Sequence, residues 1–132
     1  MRLSRIAATV AVLAATAAVP VLNASPAAAA TPQCMLSIVY QNKFVPGNWD
    51  LGPNCVMGVG AIGNHVADLQ WSLNKCYGKN LATDREFGPK TRDALKQVQS
   101  SLKITADGVY GPQTARAMNH RVNGGGCGRI TF

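Results

Sequence analysis

The sequence predicts a mainly α fold: a three-helix bundle carrying a short, disulfide-tethered N-terminal extension. Three observations lead there. An eight-residue box, Asp84-Arg85-Glu86-Phe87-Gly88-Pro89-Lys90-Thr91, recurs 23 positions later as Asp107-Gly108-Val109-Tyr110-Gly111-Pro112-Gln113-Thr114. Apolar residues fall at helical spacing around the boxes, as in Val66, Leu69, Leu73 and Cys76. The four cysteines, Cys34, Cys55, Cys76 and Cys127, all follow an apolar leader.

The leader comes first. Arg2 and Arg5 precede an Ala/Val-rich run from Ile6 to Val21, and Ala28-Ala29-Ala30 offers small residues for cleavage. Residues 1–30 therefore read as a secretory signal peptide. The apolar run is short and Pro20 lies at its end, which argues against a membrane anchor. Cleavage after Ala30 leaves 102 residues, enough for one small domain. Two of the thirteen basic residues leave with the leader and all six acids stay, for a net charge of +5. A basic exported protein is drawn to polyanions, and the same charge also serves solubility.

Residues 31–59 read as a tethered extension. Met35 to Tyr40 has strand propensity, and Pro46-Gly47-Asn48 and Gly52-Pro53-Asn54 are turn signals, giving one strand and two turns. Four cysteines allow three pairings; Cys34–Cys55 and Cys76–Cys127 are the expected ones. The first closes a local loop, and the second ties the end of the first helix to the tail. No Cys-x-x-Cys or Cys/His cluster suggests zinc.

The first helix is expected from a cap at Asn64 to about Cys76, stopped by Tyr77-Gly78. Each box then reads as a turn, a buried aromatic and a helix start. Asp bonds nearby backbone in a turn, Pro has the φ of a first helical residue, and the Thr hydroxyl can serve free N–H groups of the first turn. The second helix is expected from Pro89 to Leu102, with Thr91, Leu95, Val98 and Leu102 inward. The third is expected from Pro112 to His120, followed by a Gly-rich tail, 123–132, tethered by Cys127. Within that tail, Arg129 to Phe132 is expected to pair with the strand near Ile38.

Together these motifs resemble the bacterial peptidoglycan-binding module of the three-helix type. Val66-Ala67-Asp68-Leu69-Gln70-Trp71-Ser72-Leu73 matches its first helix, Val98-Gln99 carries the Gln of its middle helix, and both boxes match its Asp-Gly-x-aromatic-Gly-Pro-x-Thr turns. The resemblance covers residues 60–122. Arg85 departs from it, standing where the first box of the family has Gly; the turn is then either strained or of different geometry. The resemblance implies a non-catalytic module that binds peptidoglycan, through its glycan or its stem peptide. It also implies a secreted, cell-wall-associated place in a bacterium.

Six residues are candidate ligand contacts: Trp71, Arg85, Arg92, Tyr110, Gln113 and Arg116. Trp71 lies about 200° around the helix from Leu69. Its ring could stack on sugar, or simply pack under the extension. Tyr110 is a core position whose hydroxyl must find a partner or the surface. It would set a polar handle beside Gln113, at a helix start where an anion could dock. The three arginines could fork onto a carboxylate or phosphate, although charges on helix faces are usually just solvated. Gln70 and Gln99 are expected to bond loop backbone, and Asp84 and Asp107 to form turns. His65 and His120 are expected at the surface.

No Ser/His/Asp set, phosphate loop or metal-ligand spacing is visible, so catalysis has little material and no cofactor or metal is expected. Wall polyanions or a wall hydrolase are further partners to weigh. An inhibitor or regulator of such a hydrolase is the alternative function. Neither nucleic acid nor, after leader cleavage, a membrane is expected as a partner.

Overall fold

Helix α1, Asn64–Tyr77, is the element against which most of the others pack. Val66, Leu69 and Leu73 repeat every three or four residues and are fully buried. The computed structural model describes residues 30–132. Apart from Ala30, the leader expected over residues 1–30 lies outside the described residues. Asn64 was expected to cap α1, but Gly63 holds the cap position at φ 144°, a conformation open to glycine. A Cβ there would sit 2.7 Å from His65 Cε1, so space as well as torsion selects glycine. Gly78 ends the helix in the left-handed region, φ 63°, with its N–H on the Leu73 carbonyl.

Helices α2, Pro89–Ser101, and α3, Pro112–Ala117, start alike. An extended glycine, Gly88 or Gly111, precedes a proline in the first turn. Thr91, Ala94, Leu95, Val98 and Gln99 bury one face of α2. The third helix is six residues long and stops where Met118 turns extended, at ψ 157°. It does not reach His120, because the chain there becomes strand β3, His120–Arg121, paired with β4, Cys127–Gly128.

The extension is also richer in strand than expected. β1, Leu36–Tyr40, and β2, Lys43–Gly47, form an antiparallel hairpin with Ile38 opposite Val45. Its two turn residues, Gln41 and Asn42, both have positive φ, at 47° and 62°, which matches the twist of a tight hairpin. A bridge between Lys43 and Val122 links the two ladders. The expected three-helix bundle is therefore corrected. The protein has three helices and two small antiparallel sheets, and sheet residues supply part of the core. Ile38, Val45, Met57 and Ile130 are buried among the helix residues. A six-residue third helix offers too little apolar surface to close a bundle, and the hairpin and tail cover what it leaves.

The tail does not pair with the Ile38 strand. Thr131 meets the hairpin turn instead: its N–H donates to Gln41 Oε1 at 3.1 Å, and Gln41 Nε2 donates to the Thr131 carbonyl at 2.9 Å. The histidines are corrected too, since His65 and His120 are both buried. His120 Nε2 donates to the Ala115 carbonyl at 2.8 Å, and burial pushes its pKa down to about 4.

Disulfides join Cys34 to Cys55 and Cys76 to Cys127, with sequence separations of 21 and 51. The second joins the last turn of α1 to β4. Segment 57–63 then stitches the two boxes together. Met57 and Tyr110 exchange backbone hydrogen bonds of 2.8 and 2.9 Å. The Phe87 N–H donates to the Ala61 carbonyl at 2.9 Å, and the Gly63 N–H to the Arg85 carbonyl at 2.9 Å. The two box aromatics thus lie against one segment, which turns at Val59–Gly60, and are both buried.

Candidate functional site

Each box is built around one buried glutamine from the preceding helix. Gln70 of α1 serves the first box. Its amide nitrogen reaches Asp84 Oδ1 at 2.9 Å, the Glu86 carbonyl at 3.0 Å and Thr91 Oγ1 at 3.2 Å. Its amide oxygen accepts the Arg85 N–H at 3.2 Å. Gln99 of α2 repeats this in the second box. Its nitrogen reaches Asp107 Oδ1 at 3.0 Å, the Val109 carbonyl at 2.9 Å and Thr114 Oγ1 at 3.0 Å, and its oxygen accepts the Gly108 N–H at 2.9 Å.

Each aspartate closes its own turn, with Oδ1 accepting the N–H two residues on: Glu86 at 3.0 Å and Val109 at 2.9 Å. The box Asp and Thr are therefore partners of one glutamine, which lies 14 or 8 residues before the Asp and 21 or 15 before the Thr. The hydrogen bonds from Gln70, and then from the Glu86 N–H, hold the Asp84 carboxyl below its ordinary pKa. Arg85 and Gly108 adopt the same left-handed conformation, at φ 67° and 70°. The geometry of the turn is thus kept and Arg85 is the strained member, at a cost of about 1 kcal/mol.

The first box opens onto a cavity of about 340 Å³. Leu81, Ala82 and Pro89 give it apolar walls, and Asp84, Glu86 and Lys90 give it charge. Gln70, Gly88 and Thr91 complete the lining. Such a surface can hold a ligand with an apolar face and offer carboxylate acceptors to its hydroxyl or amide N–H groups. A second cavity, of about 470 Å³, lies between Arg116 and the tail residues Arg129 to Phe132.

The six candidates do not converge on one cavity. Trp71 is exposed on α1, 46% accessible, with the Arg121 guanidinium 5.2 Å from its ring centre. Arg85 is exposed on the strained turn. Arg92 pairs with Asp93 at 3.0 Å on an open surface, where an ion pair adds little. Gln113 is exposed in the first turn of α3. Arg116 lies over the Phe132 ring at 4.2 Å and donates through Nε to the Phe132 carbonyl at 3.1 Å, so it lines the second cavity.

Tyr110 is corrected. It is fully buried, and its hydroxyl reaches neither the surface nor a hydrogen-bond partner. The desolvated phenol, with the Asp68 charge near it, has its pKa raised far beyond the ordinary value. Asp68 is buried on α1, and desolvation raises its pKa to about 6 against the pull of Ser37 and Arg121.

Sequence reasoning passed over Leu81, Glu86 and Lys90 as ligand contacts. Their signal was their place beside the first box. It also passed over Arg121, which lies beyond the box pattern. Among the described residues, no group of three or more His, Cys, Asp or Glu could hold a metal ion, and no helix is long and apolar enough to cross a membrane.

Residues 62–118 match the family described as "Putative peptidoglycan binding domain". Over 37 residues the chain is 46% identical to a zinc D-Ala-D-Ala carboxypeptidase of Streptomyces albus G, covering 28% of this chain and 14% of that protein. Over 71 residues it is 35% identical to the N-acetylmuramoyl-L-alanine amidase CwlM of Mycobacterium tuberculosis, covering 52% of this chain and 18% of the relative. The chain thus spans less than a fifth of the length of either enzyme. Among solved structures, a peptidoglycan-binding protein from Clostridioides difficile, in complex with glutamine hydroxamate, is 36% identical with a TM-score of 0.43. That match covers 45% of this chain and 37% of the other.

Proposed function

Since residues 62–118 form a domain of the peptidoglycan-binding type, we propose that this protein is an exported, non-catalytic module held to the bacterial cell wall by peptidoglycan. The observation that carries the reading is the cavity at the first box. The box turn, the start of α2 and the Gln70 cage shape it together, so the motif that defines the domain also shapes the surface. Leu81, Ala82 and Pro89 would face the apolar side of a sugar ring or an alanine methyl group. Asp84, Glu86 and Lys90 would take its polar groups. A glycan strand or a stem peptide both fit that description.

The non-catalytic part of the reading draws on how the box acids are used. Asp84 and Asp107 each accept at Oδ1 from a glutamine amide and from a backbone N–H, which leaves them poorly placed for proton transfer. Export is supported by the leader-like start and the disulfides. A small shallow site binds weakly, and a wall offers it many copies of one ligand.

Co-sedimentation with purified peptidoglycan sacculi tests the proposal. The protein should pellet at low salt and stay bound as salt rises. Failure to pellet at low salt would reject wall binding, and retention lost entirely at high salt would reduce it to charge attraction. Release of soluble muropeptides by the pure protein would overturn the non-catalytic reading.

A second reading, docking on a wall hydrolase, draws on loop 48–54. Trp49 and Leu51 stand out there at 72% and 67% exposure, while Asn48 braces the loop by accepting the Asp50 and Gly52 N–H groups. Trp49→Ala separates the readings: it would weaken hydrolase binding and leave sacculus binding intact.

A further inference from the structure

Arg121 of β3 stands between two aromatic rings. Its guanidinium carbon is 4.2 Å from the centre of Phe44 on β2 and 5.2 Å from the centre of Trp71 on α1. Its backbone is fixed as well, since its N–H donates to the buried Ser72 hydroxyl at 3.1 Å and it pairs with Cys127. Nε is buried without a partner. The two terminal nitrogens hydrogen-bond to no described residue, and the side chain as a whole is half-buried rather than enclosed. Asp68 is the acid whose charge bears on this arginine, yet the two form no ion pair.

This arrangement differs from an ordinary surface arginine. A free arginine loses rotamer freedom when it grips an anion, whereas this one is already held by its neighbours. The rings attract the cation and flank the guanidinium, and its terminal nitrogens keep their donors. A planar fork approached along its own plane pairs best with a planar, two-oxygen group. The half-exposed Trp71 ring adds an apolar shelf beside it.

We propose that Arg121, gripped between Phe44 and Trp71, is a preorganised receptor for the terminal carboxylate of a peptide, with Trp71 contacting the adjoining alkyl group. The site is separate from the first-box cavity, whose lining includes none of these three residues. It deepens the wall-binding reading, on which its natural ligand rests, by assigning a second contact to the stem peptide.

The test is a nuclear magnetic resonance titration of the disulfide-intact protein, following the Trp71 indole N–H and the Arg121 Nε–H. The probes are N-acetyl-alanyl-alanine, its C-terminal amide, and inorganic phosphate. The free acid should move both resonances, and the amide and phosphate should leave them in place. Arg121→Lys keeps the charge and loses the fork, so affinity for the acid should fall roughly 10- to 100-fold. Arg121→Gln should lose at least as much. Still resonances, equal response to the amide, a response to phosphate as strong as to the acid, or unchanged affinity in Arg121→Lys would each overturn the proposal. The titration of the unsubstituted protein stands even if a variant unfolds. Shifts confined to Leu81, Glu86 and Lys90 would reject this site and leave the first-box reading standing.

Discussion

Replacing Gln99 by alanine should strongly destabilise the protein, although the position touches neither solvent nor a cavity. Gln99 is fully buried. Truncation strands four partners at once: Asp107 Oδ1, the Val109 carbonyl, Thr114 Oγ1 and the Gly108 N–H. Neutral hydrogen bonds contribute about 1 kcal/mol each, and one to a carboxylate about 2 kcal/mol, for an upper figure near 5 kcal/mol. Asp107 is exposed and water can replace its lost donor, which brings the expected loss to about 3–4 kcal/mol. For a domain of about 100 residues that is a drop of roughly 12 °C or more in melting temperature. Thermal melts followed by circular dichroism with both disulfides intact would measure it. Gln97→Ala is the control: this exposed neighbour on α2 bonds only Lys79 Nζ, and its loss should cost less than about 0.5 kcal/mol. A Gln99→Ala loss under about 1 kcal/mol would refute the idea that the glutamine cage builds the box.

Asp68 and His120 should pull stability in opposite directions with pH. The folded Asp68 pKa, about 6, lies above its ordinary 3.8, so folding takes up a proton and stability rises as pH falls from 6 towards 4. His120 is held down to about 4 from 6.5, so the unfolded chain takes up the proton and stability falls over nearly the same range. The lowered pKa of His65 adds to that fall. Asp68→Asn removes the compensating rise, so its melting temperature should drop more than the unsubstituted protein's between pH 7 and 4.5, as read by circular dichroism. Removing the Cys76–Cys127 disulfide with paired serines should cost about 4 kcal/mol, against about 3 kcal/mol for Cys34–Cys55, in urea unfolding, because the longer loop constrains the unfolded chain more. Gly108→Ala should lose about 1–2 kcal/mol in the same assay, since a Cβ would sit 2.6 Å from Arg92 Cγ at φ 70°.

The helical half of the fold was legible because its signals are local. Pro89 and Pro112 mark helix starts by their missing N–H and fixed φ, and Gly78 marks an end by its left-handed torsion. The β part was not, because its determinants are distant in sequence. Gln41-Asn42 is a less recognisable hairpin turn than Asn-Gly, and β3 exists only because Cys127 and Gly128 come to meet it. His120 looked like a surface residue for the same reason: its burial comes from Tyr110 and the core, not from its neighbours in the chain. In the site, the aspartates' role in turns followed from sequence, but the glutamines' reach to Asp and Thr side chains did not, since it joins one helix to the following turn and to the next helix. Arg121 gave no local signal at all, because the two rings that hold it come from β2 and α1.

Duplication gave the two boxes the same internal cage, but not the same outside. In the second box Gly108 lies under Arg92, and close to Lys96, and Val109 stands where the first has Glu86. Gln113 there replaces Lys90. In the first box Asp84, Arg85 and Glu86 are all exposed, and the cavity lies beside them. The strain stored at Arg85 fits that division, since a left-handed glycine would build the same turn with less cost. A side chain kept at an unfavourable torsion beside the open box, and absent beside the covered one, is what a binding role for the first box would require. Arg85→Gly should therefore leave the fold intact while weakening sacculus binding; equal pelleting of this variant and the parent protein would assign the arginine no part in recognition.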